Sequence, residues 1–144
     1  MGFKNIIILL FIVVTSTVTA QLQLSEESKI SVLTLGPGHV LNDAFGHSAI
    51  RVKDPVYKFD IVFDYGRYDF ESEGFYLKFV QGQLNYEVGQ SKFDDFFDQY
   101  QYQNRSITEQ VLNLSTVQKT AFYSLLKENI KTENKTYPYD FFYN

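Results

Sequence analysis

His39 and His47 are the only imidazoles in the 144-residue chain, and the chain has no cysteine. Reactive side chains are therefore few. His39 follows "GPG", and His47 closes the step Phe45-Gly46-His47. An imidazole at such a place can act as a general base, bind a metal or simply sit as a polar residue near a turn. The two histidines are eight residues apart. With glycine-rich neighbours, that spacing fits no zinc arrangement, even with Asp43 and Asp64 added, so no metal site is expected. "LGPGH" has too few glycines, and no following Lys or Ser/Thr, for a phosphate loop. Ser48 pairs poorly with His47, because adjacent strand residues point to opposite faces. On residue types alone, a structural role for His47 outweighs a catalytic one.

The elements that would hold these groups can be read from periodicity. "KISVLTLG" (29–36) is rich in β-branched residues and reads as a strand. Pro37 then breaks it between two glycines. "HSAIRVKD" (47–54) alternates Ser48, Ile50 and Val52 against His47, Ala49, Arg51 and Lys53, which predicts a strand with one face in the core. Asp54-Pro55 ends it, and "KFDIVFDYG" (58–66) reads as its hairpin partner. Residues 67–89 are mixed, punctuated by Gly74, Gly82 and Gly89. "SKFDDFFDQY" (91–100) reads as a helix capped by Ser91, with Phe93, Phe96, Phe97 and Tyr100 on one face. "RSITEQVLNL" reads as a strand. "LSTVQKTAFYSLLKENI" (114–130) opens with a capping box from Ser115 to Gln118 and predicts a helix burying Val117, Ala121, Phe122 and Leu125. The chain closes on the aromatic run "YPYDFFYN". That run reads either as a terminal strand docked on the sheet or as the start of a buried element in a chain cut short.

Length and charge narrow the classes. Lys4, the nine apolar residues Ile6 to Val14 and small Val18 and Ala20 make residues 1–20 a secretory signal, with cleavage before Gln21. The apolar run is too short for a stable membrane span. No cysteine follows, which excludes a lipid-anchored signal and any disulfide framework. Residues 21–144 then form one domain held by its core, which the 14 Phe and 11 Tyr of the full chain make plausible. The formal charge of the whole chain is −4, and loss of Lys4 makes the exported part more negative. Basic clusters are missing, so nucleic acid is not an expected partner. Sequons at Asn104, Asn113 and Asn134 matter only in a eukaryotic secretory route.

Three segments together carry a specific resemblance: Phe-Gly-His-x-x-x-Arg-Val (45–52), Asp-Tyr-Gly-x-x-Asp-Phe (64–70) and Phe-Val-x-Gly-x-Leu-x-Tyr (79–86). With "RSITEQVLNLSTVQK" and "YPYDFFYN" following in order, residues 30–144 resemble the N-terminal periplasmic domain of the bacterial lipoprotein N-acyltransferase family called Lnb. The resemblance implies an α+β fold, an antiparallel sheet with packed helices in a permuted papain or NlpC/P60-like order. It implies a periplasmic setting, or the outer face of the cytoplasmic membrane. It also implies His47 as general base for a cysteine that takes an acyl group from a phospholipid. The acyl chain then passes to the N-terminal amine of a lipidated lipoprotein. Phospholipid and lipoprotein are thus the implied partners, close to a membrane, with no cofactor. Asp64 is the candidate to orient His47, with Tyr65 beside it. Arg51, four residues after His47, is a candidate for a phosphate, and Asp69 for tying down the turn after Gly66.

The departure from the family pattern is the nucleophile. The resemblance puts the cysteine in an Asn-Cys step right after the aromatic run, where this sequence reads "YDFFYN" to Asn144. The expectation is an incomplete or decayed member, inactive by itself. Two alternatives stay open: an exported, non-enzymatic binding domain with an aromatic patch, or a fragment of a thiol amidase or esterase that hydrolyses without transfer.

Overall fold

The computed structural model describes residues 23–39, 43–68 and 73–138. The signal-like segment 1–20, Asp69 and the last six residues of the aromatic run lie outside them. The described residues build an α+β domain. Its strands are β1 (Lys29–Leu35), β2 (His47–Asp54), β3 (Phe59–Arg67), β4 (Asn85–Lys92), β5 (Ile107–Val111) and β6 (Thr136–Pro138). They form one six-stranded sheet in the order β5-β1-β2-β3-β4-β6, and every pairing is antiparallel. Three helices join it: α1 (Phe75–Val80), α2 (Phe93–Tyr102) and α3 (Thr116–Asn129). No helix among the described residues is long and apolar enough to cross a membrane.

The helices cover both faces of the sheet. Strand alternation sends Ile30, Val52 and Phe63 to one face, where Tyr123 and Leu126 of α3 meet them. Leu33, Leu35, Ala49 and Val62 point to the other, against Phe96 and Tyr100 of α2. Each such large side chain, fully buried, contributes roughly 1.5–3 kcal/mol. β2 therefore has two buried faces rather than the one its alternation suggested: Val52 and Ala49, on opposite sides, are both almost inaccessible. A third cluster, Phe75, Leu84 and Tyr86, holds α1 at the end of the sheet.

Several local expectations are met. β2 and β3 pair through the turn after Asp54, with Ala49 opposite Asp64. Ser115 and Gln118 form the capping box of α3 in both directions. The aromatic run begins as a docked strand, β6 on β4. Others are corrected. Ser91 is not the cap of α2; it lies within β4, and Lys92 occupies the N-cap without a side-chain bond. The buried face of α3 is Lys119, Thr120, Tyr123 and Leu126, while Val117 and Leu125 are 80% and 62% exposed. The cause is the chain before β1, which packs on this helix. Lys119 Nζ donates to the carbonyls of Glu26 and Ser28 at 2.8 and 2.7 Å, and Leu24 N–H donates to Thr120 Oγ1. Polar residues that cap backbone groups thus take positions a purely apolar stripe would fill.

Candidate active site

His47 opens β2, immediately after a glycine whose backbone is left-handed. Gly46 has φ of +75°, and a Cβ there would lie 2.6 Å from the carbonyl oxygen of Leu35. Only glycine fits, and this tight entry aims His47 onto the face covered by α2. The preceding loop is tied from two sides. Gly38 and Gly46 N–H groups donate to the Asp43 carbonyl. Arg105, its side chain only 4% exposed, donates from Nε to the Gly36 carbonyl at 2.8 Å and pairs with Asp43 Oδ1 at 3.3 Å.

Across the hairpin, Asp64 ends the regular part of β3. His47 Nε2 and Asp64 Oδ1 are 2.5 Å apart. A carboxylate accepts, so this bond places the imidazole proton on Nε2 and leaves Nδ1 as the free acceptor. The other carboxylate oxygen, Oδ2, accepts from Arg67 Nε at 3.0 Å. Residues three apart on a regular strand face opposite ways. Here they meet because β3 carries a bulge: Asp64 pairs with Gly89 and Arg67 with Glu87, so β3 spends one extra residue between them. Such a bulge re-aims the side chain that follows it. Gly89 completes the fit. A Cβ there would sit 2.3 Å from Arg67 Cζ, so the guanidinium lies flat over a bare backbone.

His47, Asp64 and Arg67 line a cavity of about 590 Å³ between the sheet and α2, with Asp43, Tyr100 and Gln99 on its far wall. His47 is one-third exposed and Asp64 nearly buried, so the imidazole is the more accessible member of the pair. Burial, reinforced by the charge of Asp64, pushes the Tyr100 hydroxyl up to about 12, so it stays protonated and can donate at neutral pH. Ser91 also lines the cavity, and its buried Oγ has no hydrogen-bond partner among the described residues.

The other singled-out residues fall elsewhere. His39 is exposed and does not line this cavity. Ser48 is exposed on the opposite side of β2 from its neighbour Ala49, which packs under α2. The Tyr65 hydroxyl accepts from Asn129 of α3, so that ring belongs to the α3 face. Arg51 is not available to a phosphate. It makes two bonds to Asp60, at 2.7 and 2.6 Å, and a third to Glu109, and it stacks on Phe93. Arg67 and Arg105 went unread in the sequence. The one signal for Arg67 was its place directly after Gly66, whose positive φ of +86° marks the bulge. No group of three or more potential metal ligands occurs among the described residues.

No curated protein and no solved structure matches the chain. A family model does: that of the Lnb N-terminal periplasmic domain, over residues 15–144. The match runs through every strand and helix described above, and the chain accordingly belongs to the Lnb N-terminal periplasmic domain family, the periplasmic domain of bacterial lipoprotein N-acyltransferases.

Proposed function

We propose that this domain supplies the base half of a thiol-dependent acyl transfer. His47 is the general base and Asp64 orients it. The observation that carries this reading is the 2.5 Å contact between His47 Nε2 and Asp64 Oδ1, in a histidine that lines a cavity. Imidazole held at one nitrogen and open at the other is the arrangement that moves a proton to and from a nucleophile. A permuted thiol-enzyme fold is part of the same proposal. It is supported by a base on an antiparallel strand with a helix packed across the same face.

The thiol must come from outside these residues, since residues 1–144 contain none. In the proposed cycle, His47 Nδ1 takes the thiol proton. The sulfur attacks the ester carbonyl of a phospholipid, a C–S bond forms, and the C–O bond to glycerol breaks. The glycerol oxygen leaves with the proton from His47. The α-amine of a lipidated lipoprotein N-terminus then attacks the thioester. A C–N bond forms, C–S breaks, and the amine proton returns through His47 to the sulfur. Asp64 keeps the imidazole in the right tautomer throughout.

Covalent trapping tests the scheme. Residues 1–144 incubated with phospholipid should acquire no acyl mass. The same residues joined to a thiol-bearing continuation should acquire one acyl chain, released by neutral hydroxylamine as a thioester is. A stable acyl ester on Ser48 or Ser91 in the cysteine-free chain would overturn the proposal.

A further inference from the structure

A second cavity, of about 620 Å³, opens on the far side of Arg67 and Tyr68, and these two residues line both spaces. Lys78, Gln83, Asn85 and Glu87 complete its polar wall. Glu87 is already engaged: Lys135 Nζ lies 3.0 Å from its Oε2, and Thr136 Oγ1 bonds its other oxygen. Asp64 is likewise occupied, by His47 and by Arg67 Nε. Lys78 has no ion pair among the described residues, and Arg67 uses only Nε there. The second cavity therefore keeps two cations with donors to spare, one a planar fork suited to two oxygens of a phosphate. The first cavity instead carries the carboxylates of Asp43, Asp64 and Asp95.

We infer that the second cavity is a phosphate-ester subsite, bound by Arg67 and Lys78, which seats the headgroup phosphate of the acyl donor while its ester carbonyl lies at His47. The inference rests on the acyl-transfer reading and names the part of the donor that the enzyme holds. Its geometric basis is the shared carboxylate. Asp64 holds His47 through one oxygen and Arg67 through the other, so one carboxylate fixes the base and the phosphate cation relative to each other. The bulge at Gly66 and the missing side chain at Gly89 both serve to put the guanidinium there. The subsite also selects against neutral glycerides, which offer nothing to either cation.

Nuclear magnetic resonance of residues 1–144 tests this, with the arginine Nε–H signals as reporters. The probes are inorganic phosphate, glycerol 3-phosphate, a short-chain phosphatidylglycerol below its micelle concentration, and the matching uncharged glyceride. Both phosphate esters should shift the Arg67 signal saturably, the lipid should bind about tenfold more tightly than inorganic phosphate, and the glyceride should leave Arg67 alone. Arg67→Gln and Lys78→Gln should each weaken phosphatidylglycerol binding about tenfold or more. Lys78 is exposed, so its variant keeps the fold even if loss of the Asp64–Arg67 contact loosens the other. Parent-like binding by both variants overturns the subsite, and equal affinity for inorganic phosphate overturns its assignment to a lipid. Binding is read here without turnover, so a failure leaves the acyl-transfer proposal standing. Intact binding with no acyl adduct would remove that proposal and leave the subsite.

Discussion

Two aspartates define the extremes of what a buried carboxylate does in this molecule. Asp54 is fully inaccessible and accepts from Ser25 N–H, Ser25 Oγ, Val56 N–H and Tyr57 N–H. Burial alone would raise its pKa, but these hydrogen bonds outweigh it and hold the carboxyl below its ordinary 3.8. Asp64 instead hands one oxygen to an imidazole that faces a cavity, so its bonds lead outward. The first is a fold anchor and the second a candidate site residue, a difference that exposure alone does not reveal. The anchor has a pH signature. A carboxylate with a folded pKa below its unfolded one contributes stability that is full above 3.8 and is lost as pH falls through the folded value. Asp54→Ala should cost on the order of 3 kcal/mol at neutral pH, since buried N–H donors lose a charged acceptor. Urea midpoints of parent and variant should then converge on acidification below 3.8. A gap that stays constant or widens there would refute the anchor.

At the scale of elements, β3 and α3 mark where periodicity stops being informative. The hairpin of β2 and β3, its turn at Asp54-Pro55 and the capping box at Ser115 were legible, because each is set by residues close in sequence. The bulge in β3 was not. Strict alternation puts Asp64 and Arg67 on opposite faces, and only the positive φ at Gly66 reverses that, so a simple count of four from His47 points to Arg51 as the phosphate candidate and passes over Arg67. In the folded chain Arg51 is bound on both sides by Asp60 and Glu109, partners from β3 and β5 that no local pattern discloses. The buried face of α3 was misread for a similar reason, since the chain from Leu24 to Ser28 selects Lys119 and Thr120. The structure makes a sharp distinction between adjacent residues of that helix. Leu126→Ala, 3% exposed in the parent, should destabilise by about 2–5 kcal/mol. Leu125→Ala, 62% exposed, should stay within about 0.5 kcal/mol. Chemical denaturation of the two variants measures this, and the reverse order would mean the helix is rotated from the face described.

As a whole molecule, the domain is a sheet clothed by helices on both sides, with its candidate site on only one. α3 and the chain before β1 close the first face with a core that needs no opening. α2 covers the second face incompletely, and the cavity lies at its edge, where His47, Asp64 and Arg67 come from two neighbouring strands. The α+β class was within reach of the sequence because it rests on strand alternation, whereas the choice of His47 over His39 rests on the resemblance carried by the short Phe45-Gly46-His47 motif. The cavities, and the way Arg67 joins them, depend on non-local pairings of β3 with β4 and on the packing of α2. The central claim is that His47, held by Asp64, is the base for acyl transfer. Its most direct test is the rate of acyl transfer from phospholipid to a diacylated lipoprotein peptide, by residues 1–144 joined to a thiol-bearing continuation, with folding checked by circular dichroism. His47→Ala should lower that rate by about 10²–10⁴-fold, while His39→Ala, exposed and outside the cavity, should leave it near the parent's. Transfer at the parent rate in His47→Ala, or its loss in His39→Ala alone, would contradict the account.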